Sequence, residues 1–292
     1  MHRLALALEA LGRGNGVHFR YNAPVSEIVI ENGRAAGVLL ANGERIGAAS
    51  VVCNADPAAI GAGQFGEAAR RATSTVSPGR RSLGAMVWTA NANARGFPLS
   101  RHNIFFSDDY PAEFAALAAG RLAAAPSVYV CAQDRGDADA GLDGHERLQI
   151  IVNAPATGDL APLTPAEIDT CTKAMLATAS RAGLSLDLGS SAVLTTPSDF
   201  ERLFPSTGGA LYGPASHGWA ASFRRQGSRT RIPGLYCAGG STHPGAGVPM
   251  AALSAQLAVG CLLKDRASTS WYSRTAMPGG ISTRPVRTAL TG

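Results

Sequence analysis

One stretch near the carboxyl end, Tyr236–Leu253, constrains the fold more than any other part of the chain; it reads YCAGGSTHPGAGVPMAAL. A short apolar run leads into two adjacent glycines, then a second glycine and proline cluster, then another apolar stretch. This order predicts a buried strand, a tight turn and a helix. Glycines there let the backbone approach a ligand closely, and free N–H groups at the helix start favour negative charge. A tight turn without a ligand fits the pattern equally well, so both interpretations stay open.

The composition is that of a folded and rather apolar protein. Of the 292 residues, 46% are hydrophobic and 16% are charged, which excludes a disordered chain and allows two domains. The net charge of +5 is scattered over arginines without a block of like charge, so we expect no nucleic-acid partner. The five cysteines form no CxxC pair, which indicates reduced, buried thiols in a cytosolic protein and no metal site.

Residues 1–72 read as a helix followed by short strands. Leu4, Leu8 and Leu11 share one face of an amphipathic helix, which we prefer to a signal peptide because no cleavage site follows. Asp56 followed by Pro57 predicts the start of a second helix. The other predictions are a strand over Val17–Tyr21, hairpin turns at Asn32-Gly33 and Asn42-Gly43, and a final apolar strand over Ser50–Cys53.

Residues 73–204 alternate strands with helices and are predicted to form an inserted domain. Thr164, Pro165 and Glu167 have the spacing of a capping box at a helix start, and Gly183 can end that helix. A second capped helix is predicted at Ser198–Glu201. The predicted strands are Leu83–Thr89, Asn103–Phe106, Val128–Ala132 and Leu148–Asn153.

Residues 205–265 return to the first domain, with a buried strand over Leu235–Ala238 and a helix from Val248 to Lys264. The apolar part of that helix is shorter than the roughly 20 residues of a membrane span. Residues 266–292 lack periodicity and are predicted to be a disordered tail. The expected fold class is therefore α/β (α+β), with one domain split around an insertion.

Other motifs are weaker. Gly61–Gly66 matches G-x-G-x-x-G but does not directly follow a strand, so we interpret it as a loop between helical turns. His243 is interpreted as a hydrogen-bonded loop residue, and Asp108-Asp109 as a helix cap. No residue pattern identifies a nucleophile, a general base or a metal-ligand set.

Beyond these local patterns, Gly234–Ser254 resembles the carboxy-terminal flavin signature of the bacterial carotenoid desaturases, the phytoene-desaturase-like flavoenzymes. The resemblance extends from Met1 to about Asp265 and includes VVCNADP at Val51–Pro57. Within that family it is most similar to the 1-hydroxycarotenoid (methoxyneurosporene) 3,4-desaturases. That branch is favoured by Gly239-Gly240-Ser241, by Pro249-Met250 and by the segment Phe204–Arg225, whereas SDDYPAEF at Ser107–Phe114 belongs to the wider similarity.

The resemblance implies a glutathione-reductase-like fold that binds FAD and removes hydrogen from a long carotenoid, such as a hydroxylated or methoxylated neurosporene. The flavin N5 would accept the hydride, and no catalytic side chain is assigned. The substrate implies a cytoplasmic protein that contacts the inner membrane peripherally. The resemblance also assigns cofactor contacts by position. Val25 would meet the adenine side of FAD, and Asn54 and Ala55 would line the cleft. Gly239 and Gly240 would face the pyrophosphate and ribityl portion, and Val248, Pro249 and Met250 would lie beside the isoalloxazine.

One departure from the family pattern makes the expected flavin fold incomplete. Family members open with a strand and a G-x-G-x-x-G turn, whereas this chain opens at Met1–Leu6 with what resembles an internal helix. We therefore expect a carboxy-terminal portion whose activity needs a separately encoded amino-terminal half. The alternatives are a non-catalytic remnant that does not bind FAD alone, a phytoene desaturase, or an enzyme similar to the amine oxidases. The last is ranked low because Ser241–His243 lacks the acidic residue usual in that motif.

Overall fold

The chain begins with an amphipathic helix whose apolar side faces solvent. In the computed structural model, which describes residues 2–136, 145–216 and 225–274, helix α1 spans His2–Gly14 as the leucine spacing predicted. Leu4, Leu8 and Leu11 are nevertheless 47%, 59% and 64% exposed. The strand predicted at Val17–Tyr21 is wrong, because no described strand pairs with this segment and it therefore lacks ladder hydrogen bonds.

A three-stranded antiparallel meander follows, and its two hairpin turns are confirmed. Asn32 and Gly33 have φ values of 49° and 75°, the left-handed conformation that a tight two-residue hairpin turn requires. Ile28 and Ala35 pack from the meander against Ile60. The strands are β1 (Val25–Glu31), β2 (Arg34–Leu40) and β3 (Arg45–Gly47).

A short strand and two short helices complete the first part of the chain. Strand β4 spans Val51–Cys53, and Asp56 then caps helix α2 (Pro57–Gly61) by accepting a hydrogen bond from the Ala58 amide at 2.8 Å, as predicted. The Gly61–Gly66 motif is a turn between α2 and helix α3 (Glu67–Arg70), so the structure agrees that it is not a dinucleotide-binding turn after a strand.

The middle of the chain forms a six-stranded antiparallel sheet in the order β10-β5-β8-β7-β6, with β9 paired beside β10 on β5. All four predicted strands are present. Met86, Ile150 and Met175 belong to the main hydrophobic core, between one face of the sheet and α5. The elements are β5 (Gly84–Arg95), β6 (His102–Phe105), α4 (Tyr110–Ala118), β7 (Val128–Ala132), β8 (His145–Ala154), α5 (Pro165–Arg181), β9 (Ser185–Asp187), β10 (Val193–Thr195) and α6 (Pro197–Leu203).

Helix starts in this region follow the capping chemistry of the sequence. The capping box of α5 is confirmed, with Thr164 and Glu167 each bonding the other's backbone N–H. Helix α6 begins earlier than predicted, because Thr196 is its cap and Asp199 closes the box. Asp109 caps α4 through the Ala112 amide, as expected.

The last two elements are β11 (Leu235–Cys237) and α7 (Val248–Arg274), so the fold is a mixture of helices and sheets, as expected for its class. The helix continues beyond Asp265, so the predicted tail starts too early; no glycine or proline follows Gly260 before Pro278. Residues 275–292 lie outside the described part of the chain. None of the described helices is long and apolar enough to cross a membrane.

The structure describes all five cysteines as free, with Cys131, Cys171 and Cys237 buried. Burial raises the pKa of Cys171 to about 11 and that of Cys237 to about 12. Because the thiolate is the reactive form, we expect iodoacetamide at pH 8 to modify these two thiols at least about a hundredfold more slowly than half-buried Cys261. Mass spectrometry before and after unfolding in urea checks this, and rapid native labelling of Cys237 would contradict it.

An ion pair connects the segment just before β5 to the loop after β8. Arg81 meets both carboxylate oxygens of Asp159 at 2.7 Å and also donates to the Ala156 carbonyl. Its guanidinium lowers the pKa of Asp159 below the ordinary value of 3.8. The resulting stabilisation is present above the unfolded-state pKa of about 3.9 and is lost as the pH falls through the lower folded-state value.

Asp159→Asn is therefore expected to lower the free energy of unfolding at pH 7 by about 2 kcal/mol. The variant should also lose less stability than the native chain on acidification below about pH 4, because the depressed carboxyl group is gone. Urea titrations at pH 7, 4 and 3 measure both effects. Identical acid dependence in the two proteins would show that the pair contributes nothing.

Candidate flavin-binding turn

Two distant parts of the chain meet where β4 and β11 pair in parallel, with Cys53 opposite Cys237. The residues that follow these strands are consequently neighbours. The Asn54 side-chain amide donates to the Ala238 carbonyl at 2.8 Å across this junction. The structure thus brings Asn54 and Ala55 beside Gly239, and their assignment to the cofactor cleft stays a prediction.

Gly239 is a glycine for a reason that the sequence did not reveal. Its φ is +133°, and a β-carbon there would lie 2.5 Å from the Asn54 Nδ2 atom. Its amide donates to the Oγ of Ser254, a fully buried residue of α7. Gly239 therefore meets a packing requirement within the protein, and its assignment to the cofactor stays a prediction.

Unlike Gly239, the next glycines of the turn have free space beside their backbone. A β-carbon at Gly240 would touch only Ala246 at 3.8 Å, and Gly247 has nothing within 4 Å. Gly247, Val248, Pro249 and Met250 are all exposed where α7 begins. The first N–H groups of a helix have no intrahelical partner and carry partial positive charge, so this end suits an anionic or electron-rich group.

Arg225 fixes the turn from the other side. Its guanidinium is buried and donates to the Tyr212 and Pro214 carbonyls at 2.9 and 3.1 Å and to Ser216 Oγ at 3.1 Å. It also lies 3.5 Å from the Gly240 carbonyl. Burial lowers the pKa of Arg225, and the Asp56 carboxylate acts in the opposite direction. The buried cation therefore connects residues 212–216 to residues 239–247, the glycine-rich segment between β11 and α7 that is called the glycine turn below.

A cavity of about 470 Å³ separates the turn from the six-stranded sheet. The sheet contributes Ala85, Ile151 and Asn153 on the face opposite α5, and Arg225 lies at the edge. The turn contributes Pro244–Ala246. This wall composition, mostly apolar with a few polar groups, is typical of a small-molecule site.

A second cavity, of about 680 Å³, lies on the far side of Pro214, Ala215 and Arg225. It is more polar, since Arg80 and Arg231 line it together with Asp56. One oxygen of Asp56 already caps α2. The two cavities share a wall but differ in chemistry.

Two other candidate residues have distinct surroundings. Val25 pairs with Leu40 at the start of the meander, and no described hydrogen bond joins it to the glycine turn. The assignment of Val25 to the adenine side stays a prediction.

The His243 amide donates to the Gln226 carbonyl at 2.8 Å, which fits the expected loop role. Among the described residues, no group of three or more His, Cys, Asp or Glu side chains could hold a metal ion.

The turn also contains an orphaned polar atom that pattern reasoning missed. Thr242 is 1% exposed, and among the described residues its hydroxyl oxygen has no hydrogen-bond partner. Buried hydroxyls are normally bonded, so this atom is available to a bound group or a water molecule. Neither Thr242 nor Arg225 carries a periodic or motif signal, because their roles depend on residues distant in sequence.

Comparison with known proteins decides the family. A model described as flavin containing amine oxidoreductase matches residues 1–263. The chain belongs to this flavin-containing family. FAD is the cofactor expected of it, and the open amides of α7, the unhindered Gly240 and the free Thr242 hydroxyl fit such a group.

Several relatives that match this chain have the names of carotenoid enzymes. Hydroxyneurosporene desaturase of Rubrivivax gelatinosus is 50% identical over 99% of this chain and 55% of that protein. Its namesake in Cereibacter sphaeroides is 44% identical over 92% and 54%. The 1-hydroxycarotenoid 3,4-desaturase of a Flavobacterium species is 31% identical over 88% and 52%. The chain therefore spans about half the length of the curated relatives it matches.

Among solved structures, MibH, a lathipeptide tryptophan 5-halogenase, is similar at a TM-score of 0.42 with 13% sequence identity. The similarity covers 94% of this chain and 38% of that protein, and it is too low to support a conclusion.

Proposed function

We propose that this chain is the carboxy-terminal part of an FAD-dependent desaturase that acts on a hydroxylated or methoxylated carotenoid, such as a neurosporene derivative. The observation that carries the proposal is the exposed first turn of α7, which lies close to a largely apolar cavity below the sheet. Relatives that bear desaturase names, at 40–50% identity over at least 92% of this chain, support it.

The chemistry asks little of the side chains. When bound, FAD supplies the two-electron oxidation. The first-turn amides of α7 would bind the electron-rich edge of the ring system and stabilise negative charge there, and Arg225 would hold the turn in register. The apolar walls would exclude water and orient a polyene. The positive charge that develops on a polyene is delocalised, so a strong general base is not required.

We assign cofactor contacts by position within an incomplete glutathione-reductase-like fold. Val25 would meet the adenine end, Asn54 and Ala55 the cleft wall, and Gly240 the pyrophosphate and ribityl chain beside Gly239. Val248, Pro249 and Met250 would lie along the isoalloxazine. Exposure of the last three supports the assignment.

An amino-terminal dinucleotide-binding segment would complete this site. Among described strands β4 pairs only with β11, so its other edge is open, and Val52 on it is 46% exposed. Exposed leucines of α1 and α7 give further apolar surface that such a segment could cover. The match covers only 55% of the Rubrivivax relative, which also supports an additional amino-terminal segment.

Peripheral membrane contact is part of the proposal, because long polyenes reside in lipid. Phe106, Tyr110 and Phe114 form a contiguous aromatic cluster, with ring centroids 6.0 and 4.8 Å apart, and all three are exposed. Aromatic side chains of this kind favour a membrane interface. Flotation with phospholipid vesicles tests this point, and a triple alanine variant that floats equally well would contradict it.

Co-production with the amino-terminal half of the Rubrivivax relative tests the main proposal. We expect a yellow complex with flavin absorbance and a new double bond in hydroxyneurosporene, identified by chromatography and mass spectrometry. Neurosporene and phytoene serve as competing substrates, so a preference for phytoene would favour the phytoene desaturase alternative. A flavin-loaded complex that leaves all three unchanged would refute desaturation.

The open edge of β4 also favours a second candidate, a remnant that does not bind FAD by itself. Titration of the purified chain with FAD, measured by flavin fluorescence, tests the remnant. Micromolar binding by the chain alone would exclude the remnant.

A further inference from the structure

Asn153 is a polar residue on an otherwise apolar part of the cavity floor. It lies on β8, two residues beyond Ile151 and paired with Ala85 of β5, and all three line the cavity below the glycine turn. A lone amide on such a floor is costly unless its polar atoms find partners. Its hydrogen bonds therefore show what the cavity can accommodate.

One side of that amide is held by a buried carboxylate. Glu113 of α4 is 2% exposed, and no described lysine or arginine forms an ion pair with it. Its Oε2 atom accepts from the amide and the hydroxyl of Ser127 at 3.0 and 2.6 Å. Its Oε1 atom is 3.3 Å from the Asn153 Nδ2 atom.

These contacts fix which way the Asn153 side chain points. The Ser127 hydroxyl accepts from the Ser107 amide, so its own hydrogen is directed at Glu113. A carboxylate that already receives two donors acts as an acceptor, which places the nitrogen of Asn153, and not its oxygen, toward Glu113. The Oδ1 atom accepts no hydrogen bond from a described residue, and Asn153 is one of the residues that line the cavity.

The serine and arginine side chains at this cavity already make hydrogen bonds within the protein. Ser82 Oγ accepts from the Tyr212 amide, and Ser216 Oγ accepts from Arg225. Arg225 itself donates to backbone carbonyls. Asn153 Oδ1 differs from the two serine oxygens in that no described donor reaches it.

The geometry points to Asn153 as a specificity-determining residue whose Oδ1 atom accepts a hydrogen bond from the hydroxyl group of a hydroxylated polyene. This inference rests on the proposed function and deepens it by naming the group that the site recognises. Glu113 and Ser127 are positioning residues, because they act only through the Asn153 amide. A site built to bind a hydroxyl rejects analogues that lack the donor.

The chemistry makes a sharp distinction between ligands. Hydroxyneurosporene carries a donor, its methyl ether carries only an acceptor, and neurosporene carries neither. An acceptor in the wall gains nothing from the ether oxygen, so the ether should bind like the hydrocarbon. Had the amide nitrogen faced the cavity, the ether would bind like the alcohol.

The test is equilibrium binding of these three polyenes to the full 292-residue chain in detergent micelles, measured by the shift in polyene absorbance. We expect the alcohol to bind about tenfold more tightly than the ether and the hydrocarbon. Asn153→Leu should abolish that preference, and Gln149→Leu, the same change on the same face of β8 outside the cavity lining, should keep it. Glu113→Gln should weaken alcohol binding without affecting hydrocarbon binding.

Two results would overturn the inference: equal binding of alcohol and ether by the native chain, or an unchanged preference in folded Asn153→Leu. The ligand series needs no substitution, so it decides the question even where a variant fails to fold. If the chain binds none of the three polyenes even when it is co-produced with the amino-terminal half, the proposed substrate class is contradicted and the inference falls with it.

Discussion

Gly239→Ala is expected to lower the free energy of unfolding by about 2–4 kcal/mol. Two costs combine. A φ of +133° is unfavourable for any residue with a β-carbon, and the new methyl group would lie 2.5 Å from Asn54 Nδ2. If the Asn54 side chain rotates away, its hydrogen bond to the Ala238 carbonyl is lost. Urea denaturation measures the change.

The adjacent Gly240→Ala is the matched control. Gly240 is not among the residues of positive φ, and its β-carbon would make only an ordinary contact with Ala246. Its stability should therefore change by less than about 0.5 kcal/mol. If Gly240 faces the cofactor as proposed, FAD affinity of the completed enzyme should nevertheless fall. Equal destabilisation by the two substitutions would show that Asn54 does not constrain Gly239.

Arg135→Met should destabilise the six-stranded sheet by about 3–5 kcal/mol, because it leaves a buried carboxylate without its partner. Arg135 contacts both oxygens of Glu146 at 2.9 and 2.8 Å and donates to the Leu99 carbonyl at 2.7 Å. The Glu146 side chain is 1% exposed and points into the core face of β8. The midpoint of thermal or urea unfolding reports the loss.

A neighbouring ion pair provides the comparison. Arg147 pairs with Asp134 at the surface, where both charges stay hydrated, so Arg147→Met should leave the unfolding midpoint nearly unchanged. Similar shifts for the two methionine variants would mean that burial of Glu146 does not decide the cost.

Local chemistry explains what could be predicted from the sequence. The hairpin at Asn32-Gly33 and the caps at Asp56, Asp109 and Thr164 depend on residues within four positions of each other, and all are confirmed. The glycine turn was recognisable for the same reason: a strand, a turn and a helix follow one another directly.

Long-range contacts explain what could not be predicted. The strand expected at Val17–Tyr21 has β-rich residues but no described neighbour to pair with. The role of Gly239 depends on Asn54, and the orientation of Asn153 depends on Glu113, 40 positions earlier. Helix α7 extends past Asp265 because no glycine or proline follows in the next residues to end it. The lack of hydrophobic periodicity in these residues had instead predicted a disordered tail.

The pairing of β4 with β11 has a consequence for how the chain folds. Asn54 and Ala238 are 184 positions apart, so their contact closes a very large loop. The entropy lost in such closure is recovered only after the intervening sheet has collapsed. The glycine turn is therefore expected to be the last part of the chain to become ordered. Refolding experiments should show the sheet region protected from hydrogen exchange before the amides around Gly239.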